Sequence, residues 1–286
     1  MPLVCSELGF RYGGGTGAPL LDGLSFSIEP GEFVGVAGRS GTGKTTLLRL
    51  LAAREAPTEG TLSLDGLASD GAPETKRAFA ERVGLVQQLP ERQLFAKTVW
   101  EDVAFGPRRR GLSDEEVDAR VEEALAAVDL DLERARETSP FAVSGGEQRR
   151  AALAGVLALH PDYLLLDEPT AGLDPEQRDA LMALLERLAD EGCAVVLVSH
   201  DAELLAAHAQ RLLLIGGGGL LYDGPTKRAA ADVALMEAAG LEQPLAAAMA
   251  ARLRARGLTV ADDVVSAEEL AAALAPRAAS GEVEAS

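Results

Sequence analysis

The sequence predicts an α/β fold: a parallel sheet interrupted by a mostly helical insertion, with antiparallel strands ahead of it and a helical tail behind. Three observations carry this prediction. Short apolar runs of strand length alternate with stretches of helical periodicity. One such run, Phe33-Val34-Gly35-Val36-Ala37, passes through the glycine-rich segment GRSGTGKTT at 38–46 into the helical Leu47-Leu48-Arg49-Leu50-Leu51. Another, Leu164-Leu165-Leu166, ends in the adjacent carboxylates Asp167 and Glu168.

The elements follow in order. Residues 1–35 form short runs broken by Gly13-Gly14-Gly15 and Glu29-Pro30-Gly31, which predicts antiparallel strands and turns. Residues 33–51 are a strand, loop and helix. Residues 61–66 and 83–86 read as two more short strands. From about 98 to 160 the pattern becomes helical and highly charged, as in EEVDARVEEALAAVD. Strands return at 163–167, 194–198 and 211–215, with a helix over 175–190 between the first two. Beyond Gly216-Gly217-Gly218-Gly219 the chain is alanine-rich and helical from Pro225 to about Ala275. Leu235, Met236, Leu241, Leu245, Met249 and Leu253 recur there at near-helical spacing, which predicts a packed tail. The expected division is a core over 1–222, with the helical subdomain at about 98–160 inserted, and an extension over 223–286 whose last residues fray.

Composition narrows the function. At 286 residues the chain holds a full α/β core and one insertion or small appendage. A formal net charge of -18 argues against a surface that coats nucleic acid. Cys5 and Cys193 lie far apart without metal-ligand spacing and read as reduced, buried small hydrophobes. The N-terminus lacks the basic region and apolar core of a signal segment, and no run approaches the ~20 apolar residues that span a bilayer. A cytosolic protein is expected, held to a membrane only through something else.

The chemistry concentrates in a few segments. In the strand–loop–helix context, the glycines of 38–46 let successive N–H groups curl round phosphate oxygens at a helix N-terminus. Lys44 supplies a mobile positive charge for β/γ-phosphates, and Thr45 a hydroxyl for Mg²⁺. Asp167, at a strand end, is the expected Mg²⁺ holder, and Glu168 can orient or deprotonate an attacking water. His200 ends the strand at 194–198, where ligands bind in open parallel sheets. Gln88 follows the strand at 83–86 and can reach the metal or the water, although Gln87 is as good a ligand by chemistry alone. Tyr12, before the glycine turn, either covers an adenine or packs a strand. The loop Val143-Ser144-Gly145-Gly146-Glu147-Gln148 opens a helix and forms a second phosphate binder. It lies too close in sequence to Asp167 to sit easily at its own chain's phosphate loop, which points to a partner chain.

These motifs, in this order, resemble the ATPase subunit of an ATP-binding-cassette transporter: GRSGTGKTT at 38–46, Gln88, VSGGEQ at 143–148, LLLDEPTAGLD at 164–174 and His200. The resemblance implies a P-loop NTPase cassette with an antiparallel β subdomain and a helical signature subdomain, using ATP and Mg²⁺. It implies that Gly38, Arg39, Ser40, Gly41, Thr42, Gly43, Lys44, Thr45 and Thr46 hold the phosphates, with Tyr12 on the adenine. Thr45, Gln88 and Asp167 face the metal. Lys44, Gln88, Glu168 as base and His200 on the γ-phosphate carry the reaction, with Asp174 in the loop crossing a dimer interface. Ser144, Gly145, Gly146 and Glu147 form the signature loop that closes on the opposite subunit's nucleotide. Val143 and Glu147 depart from the commonest LSGGQ.

A closer resemblance is to the energising subunits of energy-coupling factor transporters for vitamins, cobalt or nickel. It rests on GLVQQLPERQLF at 84–95, the segment from Thr98 to Pro107, the run from Ser144 to Pro175, and the tail segments at 239–244 and 266–270. Positions 87 and 89 depart from the aromatics usual there. The implied partners are a second cassette, a transmembrane coupling subunit and a membrane substrate-binding subunit, with the protein on the cytoplasmic face of the membrane and no nucleic acid. Leu94, Phe95, Val99, Trp100 and Phe105 are expected at the rim of a docking groove. The competing readings are another transporter ATPase, a cassette acting on ribosomes or nucleic acid, and a cassette that binds ATP without turnover.

Overall fold

The computed structural model describes residues 2–14, 17–69 and 71–275. Two sheets organise it. β1 (Leu3–Phe10) pairs antiparallel with β2 (Leu21–Ile28), and β3 (Phe33–Gly38) leads into α1 (Lys44–Leu51). β4 (Glu59–Leu64) and β5 (Leu67–Ala68) complete a four-stranded sheet in the order β2-β1-β4-β5. The β4–β5 turn is Asp65-Gly66, with positive φ of 52° and 78° at its two residues, the geometry a two-residue hairpin demands.

α2 (Pro73–Arg82) precedes β6 (Val83–Val86), after which the chain enters the helical insertion. Its helices are α3 (Val99–Arg109), α4 (Asp114–Ala127), α5 (Leu132–Glu137) and α6 (Gly145–Leu157). The chain returns through β7 (Tyr163–Asp167), α7 (Pro175–Asp190), β8 (Ala194–Val198), α8 (Ala202–His208) and β9 (Arg211–Gly216). β10 (Gly219–Pro225) follows, then α9 (Thr226–Ala231), α10 (Val233–Ala239), α11 (Leu245–Ala255) and α12 (Ala267–Leu274). The second sheet runs β10-β9-β3-β8-β7-β6, parallel except for the β9–β10 pair.

Strands β3, β6, β7 and β8 are buried along their whole length, as apolar strands covered on both faces must be. Alternate side chains feed two cores. Val34, Val36, Leu165 and Val196 pack with α1 and the antiparallel sheet, while Phe33, Ala37, Leu164, Leu166 and Leu197 pack with the helical insertion, α7 and α8. Met236, Ala239 and Leu241 join the second core, so α10 and the turn after it are seated on the same sheet.

The structure corrects three expectations. The sequence reading has no strand between the glycine run and the helical tail: Gly217 and Gly218, at φ 60° and 84°, are the turn of the β9–β10 hairpin, and the expected division at 222 falls inside β10. In the tail, Met236 and Leu241 are buried but Leu245 and Met249 are exposed; Ala246, Ala247 and Ala250 are the buried residues of α11. At the supposed groove rim, Leu94, Val99 and Trp100 pack inside the helical subdomain, with the Arg136 guanidinium 3.5 Å from the Trp100 ring centre. Phe95 and Phe105 remain outside, 59% and 45% exposed, their rings edge to face at 4.8 Å. The frayed end expected near 278–286 lies outside the described residues. Among the described residues no helix is long and apolar enough to cross a membrane.

Candidate active site

Parallel pairing lines up the strand ends. Val36 pairs with Val198 and Asp167 with Val198, while Val86 pairs with Leu166. Gly38, Gln88, Asp167, Glu168 and His200 therefore follow the carboxyl ends of neighbouring strands, on one edge of the sheet. That edge is where open α/β sheets bind ligands.

Glycine is required twice in the loop after β3. Gly38 has φ 153°, and a Cβ there would lie 2.2 Å from the Ile215 carbonyl oxygen. Gly43, at φ 95°, caps α1, and a Cβ would meet Leu21 at 2.7 Å. The loop so formed bends back on its own lysine: Lys44 Nζ donates to the carbonyls of Gly38 at 2.7 Å and Arg39 at 3.0 Å. Burial lowers the Lys44 pKa, opposed by the charges of Glu168 and then Asp167. Thr42 Oγ1 also donates to the Arg39 carbonyl, at 2.9 Å. Ser40 and Gly41 lie in the bend before the helix.

Thr45 Oγ1 donates to Asp167 Oδ2 at 2.7 Å, which joins the phosphate loop to the end of β7. A hydroxyl and a buried carboxylate in contact form a hard-oxygen pair. Mg²⁺ prefers such a partial set, completed by phosphate and water, over an all-protein cage. The residues therefore fit Mg²⁺ held together with a nucleotide. Gln88 is exposed two residues beyond β6, the strand paired with β7.

Glu168 sits at φ 51°, a conformation that costs an ordinary side chain about 1 kcal/mol or more and clusters at functional sites. Its N–H donates to the Val198 carbonyl at 3.0 Å, and its Oε1 is 2.9 Å from His200 Nδ1. With the carboxylate ionised, Nδ1 carries the proton and Nε2 is left to act. Glu168 is 14% exposed and His200 76%, so a half-buried carboxylate steers a ring that faces outward. Tyr12 is exposed, with its hydroxyl 2.9 Å from Thr46 Oγ1 and its ring edge on Phe10. That contact leaves the ring beside the phosphate-loop helix.

The second loop is built as a helix cap. Ser144 Oγ accepts from the Glu147 N–H, and Glu147 Oε2 accepts from both the N–H and the hydroxyl of Ser144, at 2.8 Å each. Glu147 Oε1 also pairs with Arg134 at 2.7 Å. The Glu147 carboxyl is thus turned inward to fix Ser144, leaving Gly145 and Gly146 to present the N–H groups. Sequence reasoning placed Glu147 with the phosphate-binding residues and missed its capping role, although Ser-x-x-Glu before a helix signals it. It also missed Arg149, whose Nη1 donates to the Ala171 carbonyl and ties the signature helix to the loop after Glu168. Asp174, in that loop, caps α7 by accepting from the Gln177 N–H.

A glycine-bent loop closed on its own lysine, tied through Thr45 to the carboxylate that ends β7 and set on the same sheet edge as a carboxylate–histidine pair, has the build of a P-loop nucleoside triphosphatase. Residues 21–171 match the family model for ABC transporters. The energy-coupling factor transporter ATP-binding protein EcfA2 of Symbiobacterium thermophilum is 44% identical over 276 residues, covering 96% of each chain. Its namesake in Caldanaerobacter subterraneus is 38% identical, over 94% of this chain and 95% of that one. Among solved structures, cbiO1 of Clostridium perfringens, described as part of the ABC transporter complex cbiONQ, superposes with a TM-score of 0.73 at 30% identity, over 86% of this chain and 97% of that one. A dimeric cassette, MJ0796, bound to ADP and Pi, gives 0.71 at 28% identity, over 79% and 99%. The chain belongs to the ABC transporter family, as an ATP-binding subunit of the energy-coupling factor type, and is an ABC ATPase.

Proposed function

We propose that this ATPase drives uptake of a vitamin or a transition-metal ion, as one of two cassettes beneath a transmembrane coupling subunit and a membrane substrate-binding subunit. The observation that carries the reading is that one chain builds two helix-opening loops suited to phosphate on separate elements: Lys44 and Thr45 after β3 at the sheet edge, and the capped Ser144 loop at the start of α6. Two chains set head to tail give each nucleotide one binder from either side. The energy-coupling factor relatives, similar along nearly the whole chain, support the choice of transporter class.

In this reading Lys44 and the N–H groups of 38–46 hold the β/γ-phosphates. Thr45, Asp167 and Gln88 hold Mg²⁺, which neutralises charge on the phosphate oxygens when bound. Glu168 orients the attacking water and takes its proton, His200 meets the γ-phosphate through Nε2, and Tyr12 stacks on the adenine. Exposed Phe95 and Phe105 contact the coupling subunit. The protein then sits peripherally on the cytoplasmic face of the membrane. Affinity purification from detergent-solubilised membranes, with every co-purifying chain identified, tests the proposal. A related cassette, one coupling subunit and a small multi-span binding protein are expected. Two large permease subunits with a separate binding protein would move the assignment to another importer class, and ribosomal proteins alone would overturn transport.

A further inference from the structure

We infer that residues 237–245 of the tail are a positioning strap for the nucleotide site, acting on the phosphate loop through Arg39 and on the helix after His200 through Glu203. The inference rests on the nucleotide-site reading above and adds a component to it.

Arg39 lies within the phosphate loop, yet its side chain is spent on the tail. Its Nη2 donates to the Glu237 carbonyl at 3.2 Å, an oxygen that also accepts the Gly240 N–H at 3.0 Å. Gly240 ends α10 in the left-handed conformation, φ 72°, and a Cβ there would lie 2.2 Å from Arg39 Cγ. Only a residue without a side chain lets the arginine stem lie across this turn. Arg39 is also the residue whose own carbonyl takes Lys44 Nζ and Thr42 Oγ1. The side chain that grips the tail and the carbonyl that grips the phosphate lysine thus belong to one residue.

The other end of the strap reaches the second half of the site. The Leu245 N–H donates to Glu203 Oε1 at 2.5 Å, and Glu203 is in the first turn of α8, whose cap, Asp201, follows His200 directly. Between the two grips, Gln243 Nε2 donates to the Ala230 carbonyl at 2.9 Å, and Leu241 is buried in the core that includes Leu204 and Leu205. The segment is therefore anchored to the sheet while touching both the loop that holds Lys44 and the helix that follows His200. Arg39, Gly240 and Glu203 are positioning residues, and a displacement of the tail is transmitted to both sides of the nucleotide.

The test is ATP titration, by calorimetry with Mg²⁺, of the full chain and its Arg39→Ala, Arg39→Lys, Gly240→Ala and Arg39→Ala/Gly240→Ala variants, with Lys44→Ala as reference. Arg39→Ala and Gly240→Ala should each weaken ATP binding about three- to tenfold, the scale of one ordinary hydrogen bond, since neither residue is asked to touch the nucleotide itself. The double variant should lose no more than the worse single one, because both break the same contact. Arg39→Lys, which keeps a donor, should recover part of the loss. Arg39→Ala leaves the tail backbone unaltered, so it tests the strap even if Gly240→Ala folds poorly. Unchanged ATP affinity in Arg39→Ala, with only a lowered melting temperature, makes the contact merely structural and overturns the strap. Additive losses overturn it as well. If Lys44→Ala binds ATP at least about tenfold more weakly than the parent chain, the site stands and the strap alone is judged; if Lys44→Ala binds like the parent, the site reading fails and takes the strap with it.

Discussion

Replacing Glu147 with Ala removes the reciprocal half of the capping box at the signature helix, leaving Ser144 Oγ on the N–H of residue 147. The carboxylate accepts two hydrogen bonds from Ser144 at 2.8 Å and one from Arg134 at 2.7 Å. The hydrogen bonds that the carboxylate accepts are worth about 1 kcal/mol net, and a surface ion pair of this kind adds at most about 1 kcal/mol. Local opening of residues 144–149 should therefore become easier by about 1–2 kcal/mol, a factor of about 5–30 in the open population. Amide hydrogen exchange at 147–149, where the N–H groups are bonded, reads that factor directly. Glu147→Gln keeps a capping oxygen and should retain most of the protection.

The pH dependence has a fixed sign. The Ser144 N–H, then its hydroxyl, with Arg134 and Arg150, hold the Glu147 carboxyl below the ordinary carboxylate value. A depressed folded-state pKa gives stability that is complete above the unfolded value and is lost as pH falls through the folded one. The difference between parent and Glu147→Ala should therefore be full at neutral pH and shrink in acid. Parent-like exchange in Glu147→Ala at neutral pH, or equal loss in Glu147→Gln, would refute the capping role and with it the ordering of Ser144.

Lys44→Ala should weaken ATP binding by about tenfold to a hundredfold, since it removes a charged donor to the phosphates; an unchanged titration would contradict that role. Burial pushes the Cys5 thiol up to about 12 and the Cys193 thiol up to about 11. In the native protein at about pH 8, alkylation should be slow at both, reaching half-buried Cys193 before Cys5. Rapid labelling of Cys5 without denaturant, read by mass spectrometry, would mean that β1 does not pack as described.

Much of this site was legible because its residues answer to geometry that leaves few choices. Gly38 and Gly43 stand where a Cβ would strike the Ile215 carbonyl or Leu21, so the loop sequence betrays the loop shape. Asp167, Glu168 and His200 follow short apolar strands, which the alternation of runs located. What escaped was set by tertiary context. Nothing marked the four glycines at 216–219 as holding a hairpin turn, and the alternation in Leu220, Leu221 and Tyr222 was too weak to announce an edge strand. α2 and α8 were too short to stand out. Trp100 and Phe105 are equally good docking candidates by residue type; only folding of α3 against α6 buries the first and leaves the second outside. The alanines of α11 gave no apolar stripe, although small side chains are what its close packing uses. Arg39 was read as one more phosphate-loop residue, and nothing near it in sequence points to a partner at Gly240.

Hydrolysis by Glu168→Gln, purified together with its partner cassette, tests the central claim most directly. The substitution keeps an oxygen for His200 and leaves Lys44, Thr45 and Asp167 in place, so ATP should still bind and hold the two cassettes closed. Turnover should fall by about 10²–10⁴, the contribution of a positioned general base. Turnover at the parent rate with ATP bound would place the base elsewhere and contradict the assignment of the sheet edge at Asp167, Glu168 and His200 as the hydrolytic centre.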